Sequence, residues 1–145
     1  MKFLLEVEEE LWFPENEIAE IEGLDNLKEL GILDLSSNKI TEIKGLDTLY
    51  NLKELYLVDN KIKEIKGLDN LINLNILSIF GNKIREIKGL NSRQNLEYLN
   101  LGGNEIRVIE EITNLNNLKE LTIYSNPLNY NSVKTIRSTN FKIDY

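Results

Sequence analysis

The chain has no cysteine and no histidine among its 145 residues. The first absence excludes disulfide staples and thiolate sites and leans towards a reducing compartment. The second removes the commonest general base and metal ligand. Together they exclude acyl-transfer triads and cysteine nucleophiles. Carboxylate pairs such as Asp34 with Glu54 or Glu10 remain, but acid–base chemistry wants an enclosed pocket. No enzyme activity, metal or cofactor is therefore expected. Long apolar runs are also missing: none approaches the roughly 20 residues that cross a bilayer. The N-terminus, MKFLLEVEEELWF, has an apolar run of only Phe3 to Leu5 before Glu6, Glu8, Glu9 and Glu10, which makes a poor secretory leader. No Asn-x-Ser/Thr sequon occurs. These absences suggest a soluble cytoplasmic protein that does not engage membranes.

What is present is a repeat. Residues 45–66 read GLDTLYNLKELYLVDNKIKEIK and residues 67–88 read GLDNLINLNILSIFGNKIREIK; the two agree at 13 of 22 positions. Leu46, Leu49, Leu52, Leu55, Leu57, Asn60, Ile62 and Ile65 recur as Leu68, Leu71, Leu74, Leu77, Ile79, Asn82, Ile84 and Ile87. The grid extends back to Leu11, Phe13, Asn16, Ile18 and Ile21, and forward to Leu118, Leu121, Ile123 and Asn126. A fixed period of this kind marks a solenoid. The string L-x-x-L-x-L-x-x-N-x-I resembles the leucine-rich repeat in its short class of about 22 residues. It is similar to the protein phosphatase 1 regulatory-subunit type.

The expected architecture is one α/β domain over residues 1–145, a leucine-rich repeat solenoid of about six repeats. Residues 1–10 form an N-terminal cap, 11–128 the repeats and 129–145 a C-terminal cap. Each Leu-x-Leu piece is a strand with both leucines inward, and adjacent strands stack into a parallel sheet on the concave face. The convex return leg has room only for 3₁₀ or extended pieces. Phe3, Leu5 and Val7 alternate at period two, which favours a strand in the first cap. Pro14 should stop the next strand early. Glu111 replaces the glycine of Gly23, Gly45, Gly67 and Gly89, so the return leg should change there. After Pro127, residues 132–137 could form one or two helical turns capped by Asn131 or Ser132. Ile143 and Tyr145 fall one period after Leu121 and Ile123 and predict a last strand.

The one asparagine per turn, from Asn16 to Asn126, is expected to bond free backbone groups in the bends. Positions where the repeats disagree carry the functional signal. Residues flanking the inward leucines point the other way, giving three outward columns. The first is Glu10, Ile32, Glu54, Ile76, Tyr98, Glu120; the second Trp12, Asp34, Tyr56, Ser78, Asn100, Thr122; the third Pro14, Ser36, Val58, Phe80, Gly102, Tyr124. Ile32, Tyr56, Val58, Ile76, Phe80, Tyr98 and Tyr124 should be exposed there, with Tyr56 and Phe80 as the strongest anchors. Exposed apolar patches mark interaction sites, and aromatics serve as anchors. The candidate protein-binding residues are therefore Trp12, Ile32, Asp34, Glu54, Tyr56, Val58, Ile76, Phe80, Tyr98, Asn100, Glu120 and Tyr124.

Charge is uneven. Residues 1–30 hold ten acids against Lys2 and Lys28, while the rest of the chain is nearly balanced within an overall −7. Lys39, Lys61 and Lys83 line up beside Glu42, Glu64 and Glu86, and Lys44, Lys66 and Lys88, which reads as a cross-paired flank. That flank and the net charge argue against nucleic acid. The resemblance implies a regulatory or scaffolding interaction module. Its partner would be a protein with basic residues around an apolar centre, and the chain itself a monomer. The alternatives are a purely structural scaffold or stretch of a longer array, and a secreted surface adhesin.

Overall fold

The computed structural model describes residues 9–90, 95–109 and 111–144. The expected cap strand at Phe3, Leu5 and Val7 lies outside them, as does Tyr145. The strands are β1 (Glu9–Trp12), β2 (Leu30–Asp34), β3 (Glu54–Tyr56), β4 (Ile76–Ser78), β5 (Tyr98–Asn100), β6 (Glu120–Thr122) and β7 (Lys142–Asp144). They form one sheet in sequence order, every neighbour parallel. Sequential order follows from the period: each 22-residue turn returns the chain one strand further on. β1 ends at Trp12, ahead of Pro14.

The register keeps the grid intact. Leu33, Leu55, Leu77, Leu99, Leu121 and Ile143 stand opposite one another from β2 to β7. The first five are 2% exposed or less. Leu46, Leu49 and Leu52 close the far wall and are fully buried. Burying one such side chain contributes about 1.5–3 kcal/mol before entropy is subtracted. The first turn is looser: Phe13 is exposed, and Leu11 and Ile18 are half-buried. Among the described residues no strand precedes β1.

Among the described residues the return legs carry no helix until Glu111–Asn114, a 3₁₀ segment. In earlier turns a glycine starts this leg with positive φ, for example +70° at Gly67. A Cβ at Gly67 would lie 2.2 Å from the Ile43 carbonyl oxygen of the previous turn. Only glycine fits that approach, so the turn with Glu111 takes another path. After β6 comes a helix, α1 (Tyr130–Arg137), whose Ile136 is buried. Its N-cap is Asn129, not Asn131 or Ser132, so the helix begins earlier than expected. Asn129 is extended, and its side chain accepts from the Ser132 amide at 2.8 Å. That bond satisfies one of the free amides of the first helical turn.

Candidate interaction surface

The register places the outward columns side by side. Glu10, Ile32, Glu54, Ile76, Tyr98 and Glu120 are successive partners, and Lys142 extends the line. Trp12, Asp34, Tyr56, Ser78, Asn100 and Thr122 are likewise in line, extended by Asp144. Backbone bonds continue past the strands, as from Ser37 to Val58, Asp59 to Phe80 and Gly103 to Tyr124, and carry the third column. All twelve candidate residues therefore share the outward face of the sheet.

Their exposure is graded. Trp12, Tyr98 and Tyr124 are open, at 54%, 41% and 38%. Ile32, Tyr56, Val58, Ile76 and Phe80 are half-buried rather than exposed. Strands spaced about 4.8 Å apart bring large side chains on adjacent turns against one another. Phe80 reaches further, to a ring two turns on, because the turn between carries Gly102 at this place. Its ring lies 5.8 Å from that of Tyr124, tilted by 51°. A Cβ at Gly102 would come within 2.9 Å of the Phe80 ring. The two glycines Gly102 and Gly103 thus leave the space that Phe80 occupies.

Asn100 and Asp34 serve the bends as well as the face. The Asn100 amide oxygen accepts from Gly102 N at 3.1 Å, and an Asp34 carboxylate oxygen from Ser36 N at 2.8 Å. In the next position one φ is positive in every turn: Glu15, Ser37, Asp59, Gly81, Gly103 and Ser125. Asp59 and Gly81 hold the same place in successive turns, at this left-handed bend.

The two halves of the face differ in charge pairing. Glu97 meets Lys119 at 2.5 Å and Glu120 meets Lys142 at 3.0 Å. Glu10, Asp34, Glu54 and Asp59 have no ion-pair partner among the described residues. Glu10 accepts from the Trp12 indole at 3.1 Å, and Glu54 from the Tyr56 hydroxyl at 2.6 Å. Burial, then Glu54, then Asp34, push the Tyr56 phenol up to about 12.

The asparagine ladder is interior from Asn38 to Asn104. Asn82 accepts from Ile62 N at 2.9 Å and donates to the carbonyls of Leu57, Ile79 and Phe80. Asn16 departs from it: it is exposed and reaches only Pro14 O. A second ladder went unnoticed in the sequence, although its spacing is the same 22 residues. Asn51, Asn73 and Asn95 each donate to a carbonyl 23 residues back, on exposed positions. The flank is only partly cross-paired. Lys39 with Glu17, Lys44 with Glu20 and Arg85 with Glu105 are close, but Lys66 lies 3.8 Å from Glu42 and 3.7 Å from Glu64. Among the described residues no helix is long and apolar enough to cross a membrane.

The leucine-rich repeat profile in two copies matches residues 50–92, and its single-repeat counterpart matches residues 95–115. Among curated proteins none matches the chain. A solved leucine-rich repeat protein of Leptospira interrogans is similar, with TM-score 0.86 and 31% identity over 94% of this chain. An internalin, InlF, of Listeria monocytogenes gives 0.84 and 30% over 92%. Internalin C2 of the same organism gives 0.70 and 27% over 92%. The chain spans 36%, 40% and 69% of the lengths of these three.

Proposed function

We propose that this leucine-rich repeat solenoid is a non-enzymatic interaction module that binds a protein partner on its concave sheet, in a regulatory or scaffolding role. The observation that carries the reading is the contrast within single strands. Inward positions repeat leucine, whereas the outward positions beside them run Ile32, Glu54, Ile76, Tyr98, Glu120. The core makes no demand on the open rings of Trp12, Tyr98 and Tyr124, and large rings of this kind anchor interfaces at little rotamer cost. Glu10, Asp34, Glu54 and Asp59, without an ion-pair partner among the described residues, favour a partner with Lys or Arg beside an apolar centre. A monomer in the cytoplasm, akin to the protein phosphatase 1 regulatory-subunit type, completes the proposal.

Exposure moves the test from Tyr56 and Phe80 to Tyr98 and Tyr124. With a partner captured and purified, Tyr98→Ala with Tyr124→Ala should weaken binding by about 2 kcal/mol or more, the hot-spot threshold. The melting temperature should stay within a few degrees. Asp34→Asn with Glu54→Gln should lower the association rate and its salt dependence. If both pairs bind as the parent does, the sheet is not the binding surface. The purely structural reading, an array with no partner of its own, would then stand.

A further inference from the structure

The run after each ladder asparagine carries the charged columns: Lys61 to Lys66 in one turn, Lys83 to Lys88 in the next. Ile62, Ile65, Ile84 and Ile87 are buried, so the charges face outward. Between the two runs lies a cleft of about 660 Å³. Five cationic side chains line it: Lys63, Lys66, Lys83, Arg85 and Lys88. We propose that this cleft binds a small ligand carrying two or more phosphate groups.

Charge is the first argument. A chain of net −7 gathers five cations here against two carboxylates, Glu64 and Glu86. Glu86 is held by Lys88, and Glu64 lies nearest Lys66. Lys63 and Lys83 meet no carboxylate within ion-pair distance among the described residues, unlike Lys39, Lys44, Lys119 and Lys142. Arg85 meets Glu105 through its Nε at 2.9 Å.

Repulsion is the second. One turn apart, Lys63 is followed by Arg85 and then Arg107, Lys61 by Lys83, and Lys66 by Lys88. Turns stack about 4.8 Å apart on the strand side, and like charges directly opposite destabilise. The fold does not require them, because the column of Lys63 holds Ala19 and Thr41 in earlier turns. A multivalent anion would convert that repulsion into attraction.

Size and composition select the ligand. The cleft is in the range of small-molecule sites. Among the described residues no aromatic side chain lines it, so it lacks the stacking platforms of single-stranded nucleic-acid sites. Lysine point charges beside an arginine fork suit clustered phosphate oxygens. The site lies off the sheet, so it stands or falls separately from the concave interface.

Titration calorimetry of the full chain with inorganic tripolyphosphate tests this. Saturable one-to-one binding is expected, weakened by about tenfold or more in Lys63→Glu with Lys83→Glu. Lys28→Glu with Lys134→Glu makes the same charge change on exposed residues elsewhere and should leave it within about twofold. Circular dichroism checks that both variants fold, and Lys63→Gln with Lys83→Gln serves if the first does not. Co-sedimentation with phosphatidylcholine vesicles containing phosphatidylinositol bisphosphate assigns the source. Cleft-dependent vesicle binding points to a lipid headgroup, and tripolyphosphate binding without it to a soluble ligand. No saturable binding, or equal weakening in both charge-swapped variants, overturns the proposal.

Discussion

Two columns of asparagine run along this molecule, with one residue type, one period and one kind of bond. In the interior column, Asn82 makes four hydrogen bonds and is 7% exposed. In the other, Asn73 makes one, to Tyr50 O at 2.8 Å, and is exposed. Water can replace the second bond and cannot reach the first. The difference teaches that periodicity alone does not measure energetic weight. The cost of losing an amide depends on whether its partners can find water.

Deleting residues 129–145 should have the largest effect, because it exposes the end of the interior column. Ser132 Oγ accepts from Ile109 N at 2.9 Å, Asn129 N donates to Arg107 O, and β7 covers the edge of β6. A bare repeat end and an open edge strand invite aggregation. Loss of cooperative melting and lower solubility are expected by calorimetry and light scattering. A truncated chain that stays monomeric and melts as before would show that the interior column needs no closure.

Next, Asn82→Ala should destabilise by about 1–3 kcal/mol, the cost of stranding buried backbone groups. Denaturant unfolding measures it, and a midpoint equal to the parent's would erase the contrast between the columns.

Tyr56 lies between the two extremes, half-buried with one bond to Glu54. Its folded pKa is raised from 10.0 to about 12, first by burial and then by Glu54 and Asp34. The neutral phenol is thus favoured in the folded state. Its contribution is fully present below pH 10 and is lost as pH rises through about 12. Tyr56→Phe should flatten the fall in stability across that window, and Glu54→Gln should bring the phenolate absorbance step to lower pH. A parent whose stability is flat there would remove this intermediate case.

The smallest effect belongs to the outer column. Asn73→Ala should change stability by no more than about 0.5 kcal/mol, as surface substitutions do. Asn16→Ala should behave likewise, since Asn16 belongs to the interior column by sequence and to the exposed class by structure. A loss at Asn16 equal to that at Asn82 would show that the first turn is as closed as the middle.

The sequence by itself determined the period, the inward leucines and isoleucines, the strand register and the sidedness of the twelve candidate residues. Each follows from a 22-residue repeat in which alternate strand positions face opposite ways. Each strand pairs only with its sequence neighbours, so for the core the one-dimensional pattern is also the three-dimensional one. Tertiary structure decided what depends on neighbours of different size and charge. Phe80 is half-buried because Gly102 and Gly103 open a space and Tyr124 closes over it. Among the described residues neither Lys63 nor Lys83 has an ion-pair partner: one turn on from Lys63 stands Arg85, and Glu105, one turn on from Lys83, is held by Arg85. Asn16 is exposed where Asn82 is buried, although both hold one place on the grid. Solvent access and pairing belong to the stack of turns and not to a single turn, and there the repeat falls silent.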